Sequence, residues 1–326
     1  MKAFFEKDAD LSLVRGRRVA IFGYGNQGRP QALNLRDSGV ETVLVAARPG
    51  SASGARAVQD GFDVLTPADA ARACDLFVML VPDEEQPAPY ADAIGPNLPQ
   101  GAALVFAHGF AIRFGLIAPR PDLDVILVAP KGPGTALRSA YEAGGGLVSL
   151  YAVHQDATGG GEALALSYAA ALGSGRAGIL ATSFAEECEA DLFNEQAVIW
   201  GAIPELILAG YETLTENGFS PEVAYFECLT ELKLLADLIQ ARGIAGMREA
   251  ISTTAEFGAV VGGSRIVGEG TRAEMRRILT EVQQGAFADA LMKDAAAGYP
   301  RLNASRQQAA AHPIEGVGRR LRALKP

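Results

Sequence analysis

Short apolar runs alternate with helix-like segments through the first half of the chain, and this alternation is the strongest restriction on its fold. The runs cover residues 18–22, 42–47, 76–81, 103–106 and 125–128, with a helix predicted over 31–38. Continuous apolar strands separated by helices are typical of a parallel sheet that is covered on both faces. We therefore predict an α/β domain with a parallel sheet here.

The second half has a different pattern, in which helical periodicity dominates from about Phe184 onward. Candidate helices cover residues 186–200, 203–217, 221–242, 272–285 and 304–324. Ser220 followed by Pro221 is typical of a helix start, with a capping hydroxyl and a proline at the first helical position. We predict two domains, 1–182 and 183–326, with the boundary near Thr182 and an all-helical second domain.

A glycine-rich turn, Gly23-Tyr-Gly-Asn-Gln-Gly28, follows the first predicted strand and opens a helix. Such glycines permit a tight turn and let backbone N–H groups approach a pyrophosphate at the helix N-terminus. In this strand–turn–helix context the motif predicts dinucleotide binding.

The end of the second strand indicates which nicotinamide cofactor is bound. An NAD site usually has an acid there for the ribose 2′-hydroxyl. This chain instead has Ala46-Ala-Arg48-Pro-Gly-Ser51-Ala-Ser53. A guanidinium and two hydroxyls can all donate to a 2′-phosphate, so the pattern favours NADP. The alternative is a polar surface loop.

Two pairs of carboxylates lie in the helical half, Asp191 with Glu195 and Glu227 with Glu231. Residues four apart share a helix face, so each pair projects two acids in one direction. Like charges at that spacing destabilise a helix, and burial among their apolar neighbours would cost more. One or two hard divalent cations would satisfy both pairs. The alternative is two acidic helix faces in contact with water.

Composition excludes several classes of function. The net charge of −9 argues against nucleic acid or an anionic membrane as the main partner. No apolar run approaches the roughly 18 residues of a membrane helix, and the N-terminus has no apolar signal core. Three scattered cysteines indicate a reduced, cytoplasmic protein, and three unpaired histidines argue against a histidine-rich zinc site.

The order of the motifs resembles that of short, class I ketol-acid reductoisomerases along nearly the whole chain. The matching segments are residues 23–28, 81–84, 106–110 and 129–134, followed by 191–197, 224–233, 251–256 and 312–315. The resemblance implies a Rossmann domain followed by an all-α, knotted domain. It also implies a magnesium-dependent alkyl migration in a 2-acyl-2-hydroxy acid such as 2-acetolactate, then reduction by NADPH to a 2,3-dihydroxy acid. Valine and isoleucine synthesis use this step.

The resemblance also assigns site residues. It implies that Asp191, Glu195, Glu227 and Glu231 bind two Mg²⁺ ions, that Glu231 exchanges a proton, and that His108 and Lys131 are catalytic. Ser252 matches a substrate-binding serine. From the residues alone, Lys131 is equally a solvated loop lysine, His108 a structural histidine and Ser252 a helix cap. The cofactor positions that match are Tyr24, Gly25, Asn26, Gln27, Arg48, Ser51, Ser53, Asp83, Glu84, Glu85, Gln86 and Gly134.

The resemblance implies a homodimer, or a larger assembly of dimers, in which Glu227, Glu231 and Ser252 complete the partner subunit's site. The chain departs from the family pattern at Asn26, Arg29, Pro30, Thr135, Ala136, Ile199, Trp200, Ala202, Pro204 and Thr253. Trp200 replaces a much smaller residue on the expected substrate side. It either reshapes the pocket or fills a packing gap.

Three other functions stay open on these residues. The first is the same chemistry on a different 2-keto or acyl-hydroxy acid in a specialised pathway, which Trp200 favours. The second is an NADPH-binding protein with little turnover, against which the four carboxylates argue. The third is a simple 3-hydroxyacid dehydrogenase, which would not need those carboxylates.

Overall fold

The computed structural model describes residues 2–324. The chain divides into two compact units, Met1–Cys188 and Glu189–Pro326. Thr182, where the sequence analysis placed the boundary, lies between the last strand and the helix that begins at Phe184. That helix carries the chain from the first unit into the second.

The first unit contains a sheet of nine strands. They are β1 (Ala3–Phe4), β2 (Arg18–Phe22), β3 (Thr42–Ala46), β4 (Asp63–Leu65), β5 (Leu76–Met79), β6 (Ala103–Phe106), β7 (Asp124–Pro130), β8 (Ser149–Gln155) and β9 (Ile179–Ala181). The order across the sheet is β1-β9-β8-β7-β6-β5-β2-β3-β4. The part β4-β3-β2-β5-β6-β7 is parallel and has the strand order of a dinucleotide-binding Rossmann sheet.

The prediction of a parallel sheet is wrong at one side of this sheet. β8 pairs with β7 in antiparallel fashion, and β1 pairs with β9 in the same way. The sheet is therefore mixed. β5, β6 and β7 are buried along their whole length, whereas β8 leaves Val153 and His154 exposed, as an antiparallel strand allows. Reading only continuous apolar runs misses such a strand.

Helices cover both faces of the sheet. They are α1 (Ser12–Arg15), α2 (Gly28–Asp37), α3 (Ala52–Gln59), α4 (Pro67–Ala73), α5 (Pro87–Pro89), α6 (Phe110–Arg113), α7 (Gly134–Glu142) and α8 (Gly161–Ala171). Two apolar clusters fill the space between sheet and helices. One contains Ile21, Leu35 and Tyr168, and the other contains Phe77, Phe106 and Ile94.

The second unit is helical throughout its described residues. After α9 (Phe184–Asn194) come α10 (Ala202–Glu216), α11 (Pro221–Tyr225), α12 (Leu232–Glu249), α13 (Thr253–Ile266), α14 (Glu269–Gln283), α15 (Ala286–Ala296), α16 (Pro300–Ala311) and α17 (Pro313–Arg322). A small core joins α10, α11 and α17 through Tyr211, Tyr225, Ile314 and Val317. The knot stays a prediction.

Three helix predictions in this unit need correction. The predicted helix 304–324 is broken at His312, which caps α17, because Pro313 cannot continue α16. The helical run predicted to end at 242 continues to Glu249, across a kink at Gly243. The helices α13 and α15 were not predicted.

Helical structure is almost continuous from Phe184 to Glu216, and this stretch is long and apolar enough, by length and composition only, to cross a membrane. The sequence analysis expected no run of that length. The mean hydropathy is only 1.2, and the stretch carries Asp191 and Glu195. One such helix, judged by length and composition alone, is weak evidence for a membrane span.

Candidate functional site

A crevice opens at the carboxyl ends of β2 and β5, where the strand order of the parallel sheet reverses. Ligands of open α/β sheets bind at such a point. The crevice holds a cavity of about 330 Å³. Its lining includes six of the predicted cofactor residues, together with Gly23 of the glycine turn: Tyr24, Gly25, Arg48, Ser51, Ser53 and Glu85.

Glycine is required at two places beside this cavity. Gly23 has φ +101°, and a Cβ there would lie 2.6 Å from the backbone nitrogen of Val81. A Cβ on Gly134 would lie 1.7 Å from the carbonyl oxygen of Asn26. The glycine turn therefore packs directly against the loop that follows β7. The Gln27 side chain joins the same two loops by donating to the carbonyl of Gly132 (3.1 Å).

The loop after β3 presents a cationic side chain and two hydroxyls beside a helix N-terminus. Arg48 is exposed, and Ser51 caps α3 by accepting a hydrogen bond from the backbone N–H of Gly54 (3.2 Å). The Ser53 hydroxyl lies 3.3 Å from that of Ser51. A helix N-terminus together with a guanidinium favours an anion.

Two of the predicted cofactor residues support the walls of the cavity rather than presenting their side chains to it. Tyr24 is 1% exposed, and its hydroxyl donates to Asp60 (2.8 Å). Gln86 is buried and donates to the carbonyl of Val81 (3.0 Å) and to Asp83 (3.1 Å). Their roles are therefore to hold the glycine turn and the loop after β5 in shape.

A buried carboxylate joins the two predicted catalytic residues of the first unit. Glu187, whose side chain is 1% exposed, accepts from the Lys131 ammonium (2.8 Å) and lies 3.0 Å from His108 Nδ1. It also accepts from the backbone N–H of Gly109 (2.9 Å). His108 and Lys131 are thus held in one cluster, although Lys131 lies in an exposed loop after β7.

The sequence analysis missed Glu187. Glu187 lies between Glu186 and Glu189 near the start of a predicted helix, and such a group of acids is typical of an exposed, charged surface. A signal was present, because Glu187 precedes Asp191 by four residues and Glu195 by eight. That spacing extends the carboxylate pattern by one turn.

Hydrogen bonds and neighbouring charges determine the protonation of His108 and Glu187 in this cluster. Burial alone would lower the pKa of His108, but hydrogen bonds with Cys188 and Glu187 and the negative charge of Glu187 outweigh it, and they raise that pKa well above its ordinary value. Burial would raise the pKa of Glu187, whereas His108 and Lys131 together hold it below its usual range. These partners therefore favour the protonated form of His108 and the ionised form of Glu187.

Both predicted carboxylate pairs lie at π-helical turns of the second unit. Residues Glu195–Ile199 form one such turn directly after α9, and Phe226–Thr230 form another between α11 and α12. π turns within α-helices are rare and occur often at functional sites. Glu195 and Glu227 lie in these turns, and Glu231 follows the second one directly.

The expectation that these carboxylates are buried is wrong for the single chain. Glu195, Glu227 and Glu231 are exposed, and Asp191 is half-buried. The physical reason is that α12 and α13 contain no buried residue. Ser252 is also exposed, and its hydroxyl caps α13 by accepting from the N–H of Ala255 (3.2 Å).

Within the described residues of this single chain Trp200 does not fill a packing gap, since it is 71% exposed. It lines an open cavity of about 560 Å³ in the second unit, next to Gln196 and Ala197 of the first π turn. Val267, Met275 and Ile278 line the same cavity. Trp200 is therefore available to contact a ligand or another chain.

Comparisons with known proteins cover the whole chain. A family model described as "Acetohydroxy acid isomeroreductase, NADPH-binding domain" matches residues 13–178. A second, described as "Ketol-acid reductoisomerase, C-terminal domain", matches residues 184–326. A solved NADH-preferring ketol-acid reductoisomerase from an uncultured archaeon is 42% identical, with a TM-score of 0.95 over 99% of each chain.

More distant structures share the fold alone. A semialdehyde dehydrogenase NAD-binding protein from Cupriavidus necator is 20% identical, with a TM-score of 0.56 over 80% of this chain and 99% of that one. A pyrroline carboxylate reductase from Plasmodium falciparum is 12% identical, with a TM-score of 0.51 over 84% and 98%.

Proposed function

The chain belongs to the ketol-acid reductoisomerase family, and from this premise we propose how its own residues perform the reaction. It is an oxidoreductase and isomerase of branched-chain amino-acid biosynthesis with a nicotinamide cofactor and a small-molecule substrate. The proposed substrate is a 2-acyl-2-hydroxy acid of the 2-acetolactate type. The observation that carries the proposal is the buried Glu187, which holds His108 and Lys131 in one cluster.

NADPH is the proposed cofactor, although the similar archaeal enzyme prefers NADH. The fit rests on the cavity at the strand-order reversal and on Arg48, Ser51 and Ser53, which offer donors and no acid beside the start of α3. Bound there, the cofactor supplies a hydride to the 2-keto acid. The glycine turn would contact its pyrophosphate, and Arg48 with the two serines would contact the 2′-phosphate.

Replacing Arg48 by glutamine is expected to raise the Kd for NADPH about tenfold, the loss of one charge-assisted contact to a phosphate. The Kd for NADH should change little, because NADH lacks the 2′-phosphate. Fluorescence titration of each reduced cofactor measures both constants. Arg56→Gln, on the exposed side of α3 away from the cavity lining, is the matched control. An equal loss for both cofactors would argue against a role in 2′-phosphate recognition.

Two magnesium ions are the proposed metal cofactors. The donors at the two π turns are Asp191, Glu195, Glu227 and Glu231, all of them carboxylates, which suits a hard cation. Held there, the ions would polarise the substrate's ketone and hydroxyl oxygens. Glu231, exposed at the start of α12, is the proposed group that exchanges a proton with the substrate.

His108 and Lys131 act through their charge. Lys131 is 35% exposed, so its ammonium is accessible to a ligand while it stays bonded to Glu187. A histidinium and an ammonium, both held by Glu187, bring two cationic groups together, which can stabilise negative charge that develops on a substrate oxygen. Glu187 holds both cations in place and is a positioning residue.

A homodimer, or an assembly of dimers, is the proposed functional form. The second unit exposes many large apolar side chains: Trp200, Leu206, Phe219, Val223, Phe226, Leu234, Leu235, Ile244, Phe257, Val260, Val261 and Ile266. Helices α12 and α13, which flank Glu231 and Ser252, contain no buried residue at all. Isolated helices of this kind are marginal in water, so a second subunit that covers them accounts for their stability.

The direct test is an assay of the purified protein with 2-acetolactate and NADPH, following the nicotinamide absorbance with and without magnesium. We expect magnesium-dependent oxidation on the order of one turnover per second or more, and slower oxidation of NADH. Chelation of the metal should stop the reaction without releasing NADPH. NADPH binding without turnover on acetolactate would contradict the proposed substrate. A panel of bulkier and smaller 2-acyl-2-hydroxy acids would then test whether Trp200 selects another one.

A further inference from the structure

One carboxylate ties the glycine turn to the far end of the helix that carries the proposed 2′-phosphate site. Asp60 follows the last residue of α3. It accepts a hydrogen bond from the Tyr24 hydroxyl (2.8 Å) and two from Arg29, through Nε (2.6 Å) and Nη2 (3.0 Å). Tyr24 lies within the glycine turn, and Arg29 is the second residue of α2. We call Tyr24, Arg29 and Asp60 the latch.

Neighbouring contacts strengthen the same junction. Arg36, also on α2, donates to the backbone carbonyl of Asp60 (2.8 Å), and its guanidinium lies 5.0 Å from the centre of the Phe62 ring. The Tyr24 ring meets Phe62 edge-on at 5.9 Å. The carboxyl end of α3 is therefore held by both the glycine turn and α2.

Only a small buried face holds α3 against the sheet. Its buried residues are Gly54 and Ala57, and Val58 on the opposite side is 61% exposed. A helix of eight residues with an internal glycine has little stability of its own. A carboxylate at the end of a helix also opposes the helix dipole. The carboxylate of Asp60 therefore stabilises the contact with Tyr24 and Arg29 and does not stabilise α3 itself.

We infer that Arg29 and Asp60 are positioning residues that set the selectivity between NADPH and NADH. The latch fixes α3 against the glycine turn, and it thereby fixes how far Arg48, Ser51 and Ser53 lie from the pyrophosphate site. Neither Arg29 nor Asp60 is among the residues that line the cavity. The inference rests on the proposed cofactor site, and it adds two residues that act without touching the cofactor.

The partners of Asp60 favour its charged form. The hydrogen bonds from Arg29, opposed by partial burial, lower the pKa of Asp60 to about 2. The carboxylate is therefore charged at neutral pH, and no titration of Asp60 complicates the comparison of variants at pH 7.

The test is a double-mutant cycle with Arg29→Gln, Asp60→Asn and the double variant, titrated with NADPH and with NADH. We expect each single variant to raise the Kd for NADPH about fivefold and that for NADH by less than about twofold. The double variant should be no worse than either single one, because all three lose the same bond. Arg29→Lys keeps the positive charge but cannot form the bidentate contact with Asp60. Its ratio of the Kd for NADPH to the Kd for NADH should lie between those of the unmodified protein and of Arg29→Gln.

Glu142→Gln is the matched control, since Glu142 also loses an arginine partner, Arg138, on an exposed helix of the same unit. It should leave both constants unchanged. Equal losses for NADPH and NADH in Arg29→Gln would overturn the inference, because they would place Arg29 on the pyrophosphate. An unchanged ratio of the Kd for NADPH to the Kd for NADH in both Arg29→Gln and Asp60→Asn would overturn the inference as well. If Asp60→Asn does not fold, Arg29→Lys alone decides between these outcomes. The Kd values of the unmodified protein for NADPH and for NADH test the proposed use of NADPH separately.

Discussion

Glu231→Gln is expected to reduce magnesium-dependent turnover about a thousandfold, since a metal ligand contributes several kcal/mol to charge stabilisation in the transition state. The substitution keeps the size of the side chain and removes its charge. NADPH affinity should be unchanged, because the proposed cofactor residues lie in the first unit. The folded state should also persist, because Glu231 is exposed. Steady-state kinetics against magnesium concentration, with NADPH titration beside them, measure both effects.

Asp237→Asn is the control for this prediction. Asp237 lies six residues further along α12, which places it on another side of the helix, where it pairs with Lys233. It should keep nearly full activity. Full magnesium-dependent turnover in Glu231→Gln would show that the proposed metal and proton role of Glu231 is wrong.

The same variant tests whether two subunits share each site. If Glu231 serves its partner's site while Asp191 serves its own subunit's site, an unfolded and refolded mixture of Asp191→Asn and Glu231→Gln contains mixed dimers with one intact site. About a quarter of all sites should then be intact, as expected for random pairing of two subunits. Recovery of no activity from two inactive variants would contradict shared sites.

The cofactor-binding half of the fold could be predicted from the sequence because neighbouring residues determine most of its elements. The turn from Gly23 to Gly28 follows one strand and begins one helix, and the apolar runs that predict β5, β6 and β7 are buried over their whole length. Arg48, Ser51 and Ser53 were predicted for the same reason, as they directly follow β3. The antiparallel β8 was not accessible, because its partner in the sheet is set by the path of the chain after α7.

The helical half was less predictable because two of its helices, α12 and α13, bury none of their residues in the described chain. Helix α13 (Thr253–Ile266) combines Gly258, Gly262 and Gly263 with scattered apolar residues and buries none of them. Such a composition gives no clear apolar stripe at the helical period, so the sequence did not predict α13. The π turns at Glu195 and Glu227 were not predicted, because the sequence analysis considered α-helical periodicity alone. Glu187 was missed because its burial follows from its contacts with His108 and Lys131, which lie far away in the sequence.

Glu187→Gln is expected to destabilise the first unit by about 3 kcal/mol, because removing one member of a buried ionic cluster leaves the others without compensation. Turnover should fall as well, since His108 and Lys131 lose the group that holds them. Glu186→Gln is the matched control, as Glu186 is the adjacent acid and is exposed. Urea unfolding followed by near-UV circular dichroism measures the stability difference between these variants.

The pH dependence of stability and the titration of His108 provide a second test of the role of Glu187. A raised His108 pKa contributes stability that is fully present below about 6.5, the unfolded value, and is lost as the pH rises through the folded value. Without Glu187, its hydrogen bond and its negative charge no longer raise the His108 pKa, so that pKa should fall. Only three histidines are present, so a histidine NMR titration can follow His108 directly. An unchanged His108 titration in Glu187→Gln would mean that Glu187 does not hold the proton on His108. The protonation of His108 would then need another source.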